Sequence, residues 1–116
     1  MDGYQDLAEL YKALAHPVRL RILDILAQQE ACVCHLTAIL DQRQPYVSQQ
    51  LATLREAGLV TDRRDGTLIY YSPRDEKVIE FLAMGKQALR ANGDGDDFPP
   101  LPEEPVPGCP CPHCQA

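Results

Sequence analysis

Asp65-Gly66 separates two strand-like runs, residues 59–64 and 67–72. An Asp-Gly pair between such runs strongly indicates a β-hairpin, because a type I′ turn needs positive φ at both of its central residues. The chain before and after the hairpin has helical rather than strand periodicity. The sequence therefore predicts a mainly α-helical protein with one small β-hairpin.

Four helices are predicted before the hairpin and one after it. His16-Pro17 ends the first helix, because Pro17 suits the first turn of the second. A short third helix is expected around residues 35–40, and a fourth begins near Gln44-Pro45 and stops at Gly58, a typical residue just beyond a helix C-terminus. The last helix covers roughly residues 74–90. The apolar stripes of these helices are formed by Leu7, Leu10, Tyr11 and Leu14; Val18, Ile22, Ile25 and Leu26; Val47, Leu51 and Leu54; and Val78, Phe81, Leu82 and Leu89.

The composition changes sharply at Gly93. A chain of 116 residues with 45% hydrophobic content fits one small domain, which we assign to residues 1–92. Residues 93–116 hold seven of the ten prolines and lack apolar periodicity, so this tail is expected to be flexible or extended without metal. It ends in a cysteine cluster, "GCPCPHCQ".

The net charge of −6 is concentrated in the tail. All 11 lysines and arginines precede Asn92, where 12 acids nearly balance them, so this part of the chain can still bind DNA in a salt-sensitive way. No apolar run is long enough for a membrane span, and the N-terminus lacks the features of a signal peptide. We therefore expect a cytoplasmic protein, whose cysteines act as thiols, metal ligands or redox sensors rather than as a disulfide framework.

Two short helices joined by a tight turn and followed by a hairpin are typical of a winged helix-turn-helix, whose second helix enters the major groove. In the predicted fourth helix, several polar side chains lie outside the apolar stripe and face outward or flank it, and Gln50 is one of them. Glutamine can pair with adenine and serine with a base or phosphate, while arginines near the hairpin tip could reach the DNA backbone or minor groove. The predicted DNA-binding residues are Gln44, Tyr46, Ser48, Gln49, Arg63 and Arg64.

The segments "HPVRLRIL", "CVC", "VSQQLATLREAGLV" and "RRDGTLIYY" together resemble the ArsR/SmtB family of metal-responsive repressors, from about Leu7 to Leu89. The resemblance implies a homodimer built on the first and last helices. It also implies binding to a pseudo-palindromic operator DNA without metal, and release when metal binds. The sequence departs from the family at Tyr46, which follows Pro45 and replaces a usual small residue, so the base preference can differ from that of relatives.

Cys32 and Cys34 stand one residue apart at the predicted start of the third helix. Each cysteine alone is well explained as a small buried hydrophobe. Inside a helix, residues i and i+2 point about 200° apart and cannot share an ion. The pair can therefore chelate only if it straddles the start of the helix, and closing on an ion would then pull on that helix.

Two thiolates are too few for a tight site. Three sulfurs suit arsenite or antimonite, and three or four soft ligands suit cadmium, lead or zinc. Thr37 occupies the place of a third cysteine found in some relatives, and no cysteine precedes Cys32, so the tail of the same or the partner subunit must complete the site. The family's other site, on the last helix, has no counterpart because residues 78–92 contain no histidine. The predicted metal ligands are Cys32, Cys34, Cys109, Cys111 and Cys114.

The cysteines allow other roles. Cys111 and Cys114 have the Cys-x-x-Cys spacing of disulfide oxidoreductases but lack the βαβ context and the following helix of those enzymes, so we expect no enzyme. A metal buffer would explain the tail but not the winged-helix pattern. A repressor of the same fold that senses oxidants or persulfides remains the alternative. His35 is expected to be exposed or to support the ligands indirectly, and His16 to be structural.

Overall fold

The computed structural model describes residues 2–93, 98–101, 106, 109 and 114. The elements are α1 (Gly3–Leu14), α2 (Pro17–Gln28), β1 (Ala31–Cys32), α3 (Val33–Leu40), α4 (Gln44–Glu56), β2 (Val60–Asp65), β3 (Leu68–Pro73) and α5 (Glu76–Ala91). The predicted order of four helices, a hairpin and one helix is confirmed, with the short strand β1 in addition. Within the described ranges, no helix has both the length and the apolar character to cross a membrane.

The helix ends follow local chemistry. The side chain of Asp2 accepts a hydrogen bond from the backbone N–H of Gln5, and the side chain of Gln5 accepts one from the N–H of Asp2, which forms a capping box at the start of α1. Pro17 occupies the first position of α2, where no N–H is needed. Beyond α4, Gly58 has a φ of +75°, as a C′ glycine requires.

Three antiparallel strands form the wing in the order β1-β3-β2. Asp65 pairs with Leu68, so the turn between them consists of Gly66 and Thr67, and only Gly66 has a positive φ, of 64°. The predicted type I′ turn on Asp65-Gly66 is therefore wrong. Positive φ at the first central residue alone is the requirement of a type II′ turn.

Strand β1 was missed from the sequence. It pairs with β3, so that Ala31 lies opposite Tyr71 and Cys32 opposite Tyr70. Two residues are too few to show an alternating pattern, so only the tertiary pairing with β3 makes this segment a strand. The consequence is that Cys32 belongs at once to the edge of the wing and to the start of α3.

The main core is a cluster of buried aliphatic side chains from the helices and the base of the wing. Val47, Leu51 and Leu54 of α4 all point into it, as predicted, and each is at most 1% exposed. Side chains of this size contribute about 1.5–3 kcal/mol each when fully buried. The main core thus fixes α4 against α2 and α3 and leaves the opposite face of α4 in solvent.

A second buried cluster, which we call the thiol cluster, consists of Cys32, Val106, Cys109 and Cys114. Cys34, Ala38, Ile39 and Tyr70 pack partly against it. Three of its four members come from the described part of the tail, which therefore returns to the helix that follows Cys32.

Only part of the apolar stripe of α1 is buried within one chain. Leu14 is buried, whereas Leu7 and Tyr11 are about half exposed and Met84 on α5 is 65% exposed. Tyr11, Leu14 and Met84 line a groove of about 950 Å³ among α1, α2 and α5. Two of the five helices, α1 and α5, thus present apolar surface to the outside.

Candidate metal centre and nucleic-acid interface

The Cys32–Cys34 pair straddles the start of α3. Cys32 is the residue before the helix, with extended backbone angles of φ −83° and ψ 168°, and Cys34 lies in the first turn. The two Sγ atoms lie 2.7 Å apart, and both residues are reduced. The sulfurs of this i, i+2 pair therefore converge, which the sequence required for chelation.

A second group of donors faces the pair from the tail and from α3 itself. The Nδ1 atom of His35 lies 3.3 Å from Sγ of Cys114 and 3.6 Å from Sγ of Cys109. The three ligand atoms all lie within 4.8 Å of one another, and all three residues are buried. Among the described residues, this is the group of side chains whose spacing suits a metal ion.

The expectation of an exposed His35 is wrong, because the described tail residues cover its side of α3 and leave it 5% exposed. A signal was present in the sequence. His35 stands three residues after Cys32, a spacing that places two side chains on the same side of a helix. What the sequence alone does not give is the segment that covers this side.

The described tail cysteines lie beside Cys32. Cys32 packs in the same cluster as Cys109 and Cys114, and the backbone N–H of Val106 donates a hydrogen bond to Sγ of Cys114 at 3.4 Å. Thiolate and imidazole are the ligands that zinc and softer ions take in proteins, so the residues fit such an ion. Cys111 and His113 lie outside the described residues, so the prediction that Cys111 is a ligand stays a prediction.

The polar face of α4 is open to solvent. Gln44, Ser48 and Gln49 are exposed, and Tyr46 is half-buried. Gln50 is not part of this face, contrary to expectation. It is 6% exposed, and its Oε1 atom accepts a hydrogen bond of 2.9 Å from Nη1 of Arg19, which ties α4 to α2.

The two wing arginines have different surroundings. Nε of Arg63 donates to Oε2 of Glu30 at 2.9 Å and Nη2 contacts Oε1, while its guanidinium lies 4.7 Å from the centre of the Tyr70 ring. The hydrogen bond from Arg63 holds the pKa of Glu30 below its ordinary value, and Glu30 raises the pKa of Arg63. Arg63 therefore ties β2 to the residue before β1, whereas Arg64 is simply exposed.

The comparisons with known proteins agree with this architecture. Residues 16–62 match the family described as "Bacterial regulatory protein, arsR family". The crystal structure of M. tuberculosis Rv0081 superimposes with a TM-score of 0.74 at 36% identity, over 79% of this chain and 94% of that one. The chain belongs to the ArsR family. Its winged helix-turn-helix fold is thereby confirmed.

Other ArsR-family relatives carry informative names. The chain is 46% identical over 79 residues to the transcriptional repressor SmtB homolog of Synechocystis sp., which covers 68% of this chain but only 60% of that protein. It is also similar to the homodimeric winged helix-turn-helix domain of Mb0332 from Mycobacterium bovis, with a TM-score of 0.70 and 35% identity over 77% of this chain and 82% of that one. These relatives are regulators, which confirms the expectation of a regulator rather than an enzyme.

Proposed function

We propose that this chain is a transcriptional repressor that binds operator DNA as a homodimer without metal. It leaves the DNA when a thiophilic ion such as arsenite, cadmium or lead binds its cysteines. The observation that carries the proposal is the meeting of the Cys32–Cys34 pair with Cys109 and Cys114 at the helix that immediately precedes the DNA-reading helix α4.

DNA reading is assigned to the exposed face of α4 and to the wing. Gln44, Ser48 and Gln49 point away from the main core, and Tyr46 lies beside them at the start of the helix. Amide and hydroxyl side chains of this kind discriminate base edges in the major groove. Arg64 is exposed on the wing strand β2. Arg63 can contact the DNA backbone once its ion pair with Glu30 is broken.

A homodimer is supported by the apolar surface of α1 and α5 and by the homodimeric state of the Mb0332 domain. Dimers of helix-turn-helix domains bind two half-sites about one helical turn apart, so their operators are pseudo-palindromic. A partner that covers Leu7, Tyr11 and Met84 would remove from water apolar side chains that α1 and α5 expose.

The ligands that we propose are Cys32, Cys34, Cys109 and Cys114, with Cys111 as a fifth candidate. Such an ion would supply a Lewis-acidic centre that holds thiolates together, so its affinity should fall at low pH, where thiols are protonated. Cys32 pairs with Tyr70 of β3 and also precedes α3. Any change in the separation of its sulfur from that of Cys34 therefore acts on the wing and on the helix-turn-helix together.

An operator-binding assay tests the proposal. DNA affinity is measured by fluorescence anisotropy with arsenite, cadmium, lead and zinc, for the wild type, Cys32→Ser and Cys34→Ser. We expect the effective ion to weaken wild-type DNA binding at least about tenfold, and both variants to bind DNA normally but not to respond. Gln49→Ala is the converse variant, because it should lose about 1–3 kcal/mol of DNA affinity and keep its metal affinity.

Two results would overturn the proposal. If Cys32→Ser and Cys34→Ser still release DNA normally with every ion, these cysteines are not the sensor. If the wild type binds no DNA at low salt, the repressor assignment fails and a metal buffer takes its place.

The alternative is a repressor of the same fold that senses oxidants or persulfides. It is favoured by the 2.7 Å separation of the Cys32 and Cys34 sulfurs, which could join in a disulfide by giving two electrons and two protons to the oxidant. Release of DNA by peroxide or persulfide, with no release by any metal, would establish this alternative.

A further inference from the structure

His35 lies in the candidate metal centre, although the spacing of the cysteines does not predict this. Its ring is buried, and one atom, Nδ1, faces the sulfurs of both Cys109 and Cys114. In a neutral imidazole, Nδ1 carries either one hydrogen or one lone pair. One hydrogen bond therefore cannot fully engage both sulfurs, whereas a shared ion can engage all three atoms.

The distances fit a tetrahedral site. Zinc lies about 2.3 Å from sulfur and about 2.0 Å from nitrogen, so a nitrogen and a sulfur that share a tetrahedral zinc lie roughly 3.5 Å apart. The two N···S distances of 3.3 and 3.6 Å match this value, and the three ligand atoms lie within 4.8 Å of one another. The fourth donor is available next to them, because Cys32 packs against Cys109 and Cys114.

We infer that His35 is itself a metal ligand, together with Cys109, Cys114 and one sulfur of the Cys32–Cys34 pair. The inference rests on the proposed function and makes it more specific. One nitrogen and three sulfurs are the donors of a Cys₃His site, which suits divalent zinc or cadmium. Arsenite takes three thiolates, which the sulfurs of this site already supply, so the nitrogen of His35 is a ligand for the divalent ions.

Cobalt(II) provides the test, because its d–d absorption bands report the ligands directly. The protein is titrated with Co²⁺ alone, as the wild type, His35→Ala and the matched control His16→Ala. We expect tetrahedral bands in the wild type and in His16→Ala. In His35→Ala the bands should shift and Co²⁺ affinity should fall about tenfold to a hundredfold or more, as measured by competition with a chelator. Circular dichroism of the metal-free proteins verifies that each variant is folded.

A conservative variant tests the same ligand. His35→Cys replaces the nitrogen by a fourth sulfur, so it should still bind Co²⁺ while its d–d bands shift from those of a Cys₃His site to those of a four-sulfur site. Unchanged Co²⁺ bands in His35→Ala, or unchanged bands in His35→Cys, would overturn the inference.

The failure of the inference can be told from that of the proposed function. A wild type that binds arsenite and releases DNA, but binds neither Co²⁺ nor cadmium, contradicts the role of His35 and leaves the metal-responsive repressor standing. A wild type that binds none of these ions contradicts both.

Discussion

The main core and the thiol cluster are both buried, but they are built differently. The main core consists of aliphatic side chains spaced three or four residues apart on long helices. The thiol cluster holds three cysteines and one valine, and its contacts join positions more than 70 residues apart in the sequence. The pattern of the main core is typical of a stable fold. In the thiol cluster, the small apolar area that is buried offsets little of the entropy lost when the long intervening loop is closed.

The difference indicates what each cluster is for. Val106 is the one aliphatic side chain among the buried members of the thiol cluster. Ligands that bind only the folded arrangement stabilise it, and for thiolates this binding can be very strong. We therefore interpret the thiol cluster as a binding site that the tail completes, set on a scaffold that the main core holds.

Removal of two of the three tail cysteines should produce the largest effect. In the double variant Cys109→Ser, Cys114→Ser, cadmium affinity should fall more than about a hundredfold. Removing a ligand should weaken metal binding at least as much as removing a residue that only hydrogen-bonds to a ligand. The metal-free thermal stability of this variant should change little. Chelator competition and thermal unfolding measure the two quantities, and an unchanged cadmium affinity would show that neither Cys109 nor Cys114 is a ligand.

A matched pair of valine substitutions compares the clusters directly. Val47→Ala in the main core should lower the free energy of unfolding by about 2 kcal/mol, since it removes fully buried methyl groups from rigid surroundings. Val106→Ala in the metal-free protein should lower it by less than about half as much, because the tail can separate locally while the rest stays folded. Urea unfolding measures both changes in the free energy of unfolding. Equal decreases in the two variants would mean that the two clusters form one cooperative unit.

The smallest expected effect concerns the link between β1 and the wing. Arg63→Gln should raise the pKa of Glu30 towards its ordinary value, because the hydrogen bond from the guanidinium is lost. In the wild type, a carboxylate with a depressed pKa stabilises the fold above its unfolded pKa, and this contribution is lost as the pH falls through the folded pKa. Since the side chain of Glu30 is more than a third exposed to solvent, the contribution is small.

An NMR titration of the Glu30 carboxyl group measures this shift. Arg64→Gln, on the same strand, is the control that should leave the pKa of Glu30 where it is. If the value is the same in Arg63→Gln and the wild type, the ion pair does not join the wing to β1 in solution.

The features that depend on a repeating pattern along the chain could be predicted from the sequence. The helices and the inward direction of Val47, Leu51 and Leu54 follow from 3.6-residue periodicity, and the winged helix-turn-helix follows from the order of elements. The convergence of Cys32 and Cys34 followed from the geometry of a helix start.

What escaped prediction depends on contacts between distant segments. Strand β1 exists because β3 lies beside it, Gln50 is buried because Arg19 reaches it, and His35 is covered by tail residues that have no periodic pattern of their own. The turn type also escaped, since pairing of Asp65 with Leu68 shifts the turn by one residue. None of these contacts leaves a local signature in the sequence.

We expect an energetic coupling between the proposed metal centre and the proposed DNA-reading surface. Thermodynamic linkage makes it directly measurable, because two ligands that weaken each other must do so by the same factor. Cadmium affinity is measured by chelator competition with and without saturating operator DNA, and DNA affinity with and without saturating cadmium. We predict that both dissociation constants rise by the same factor, of about ten or more. A cadmium affinity that is the same on and off the DNA would contradict this prediction.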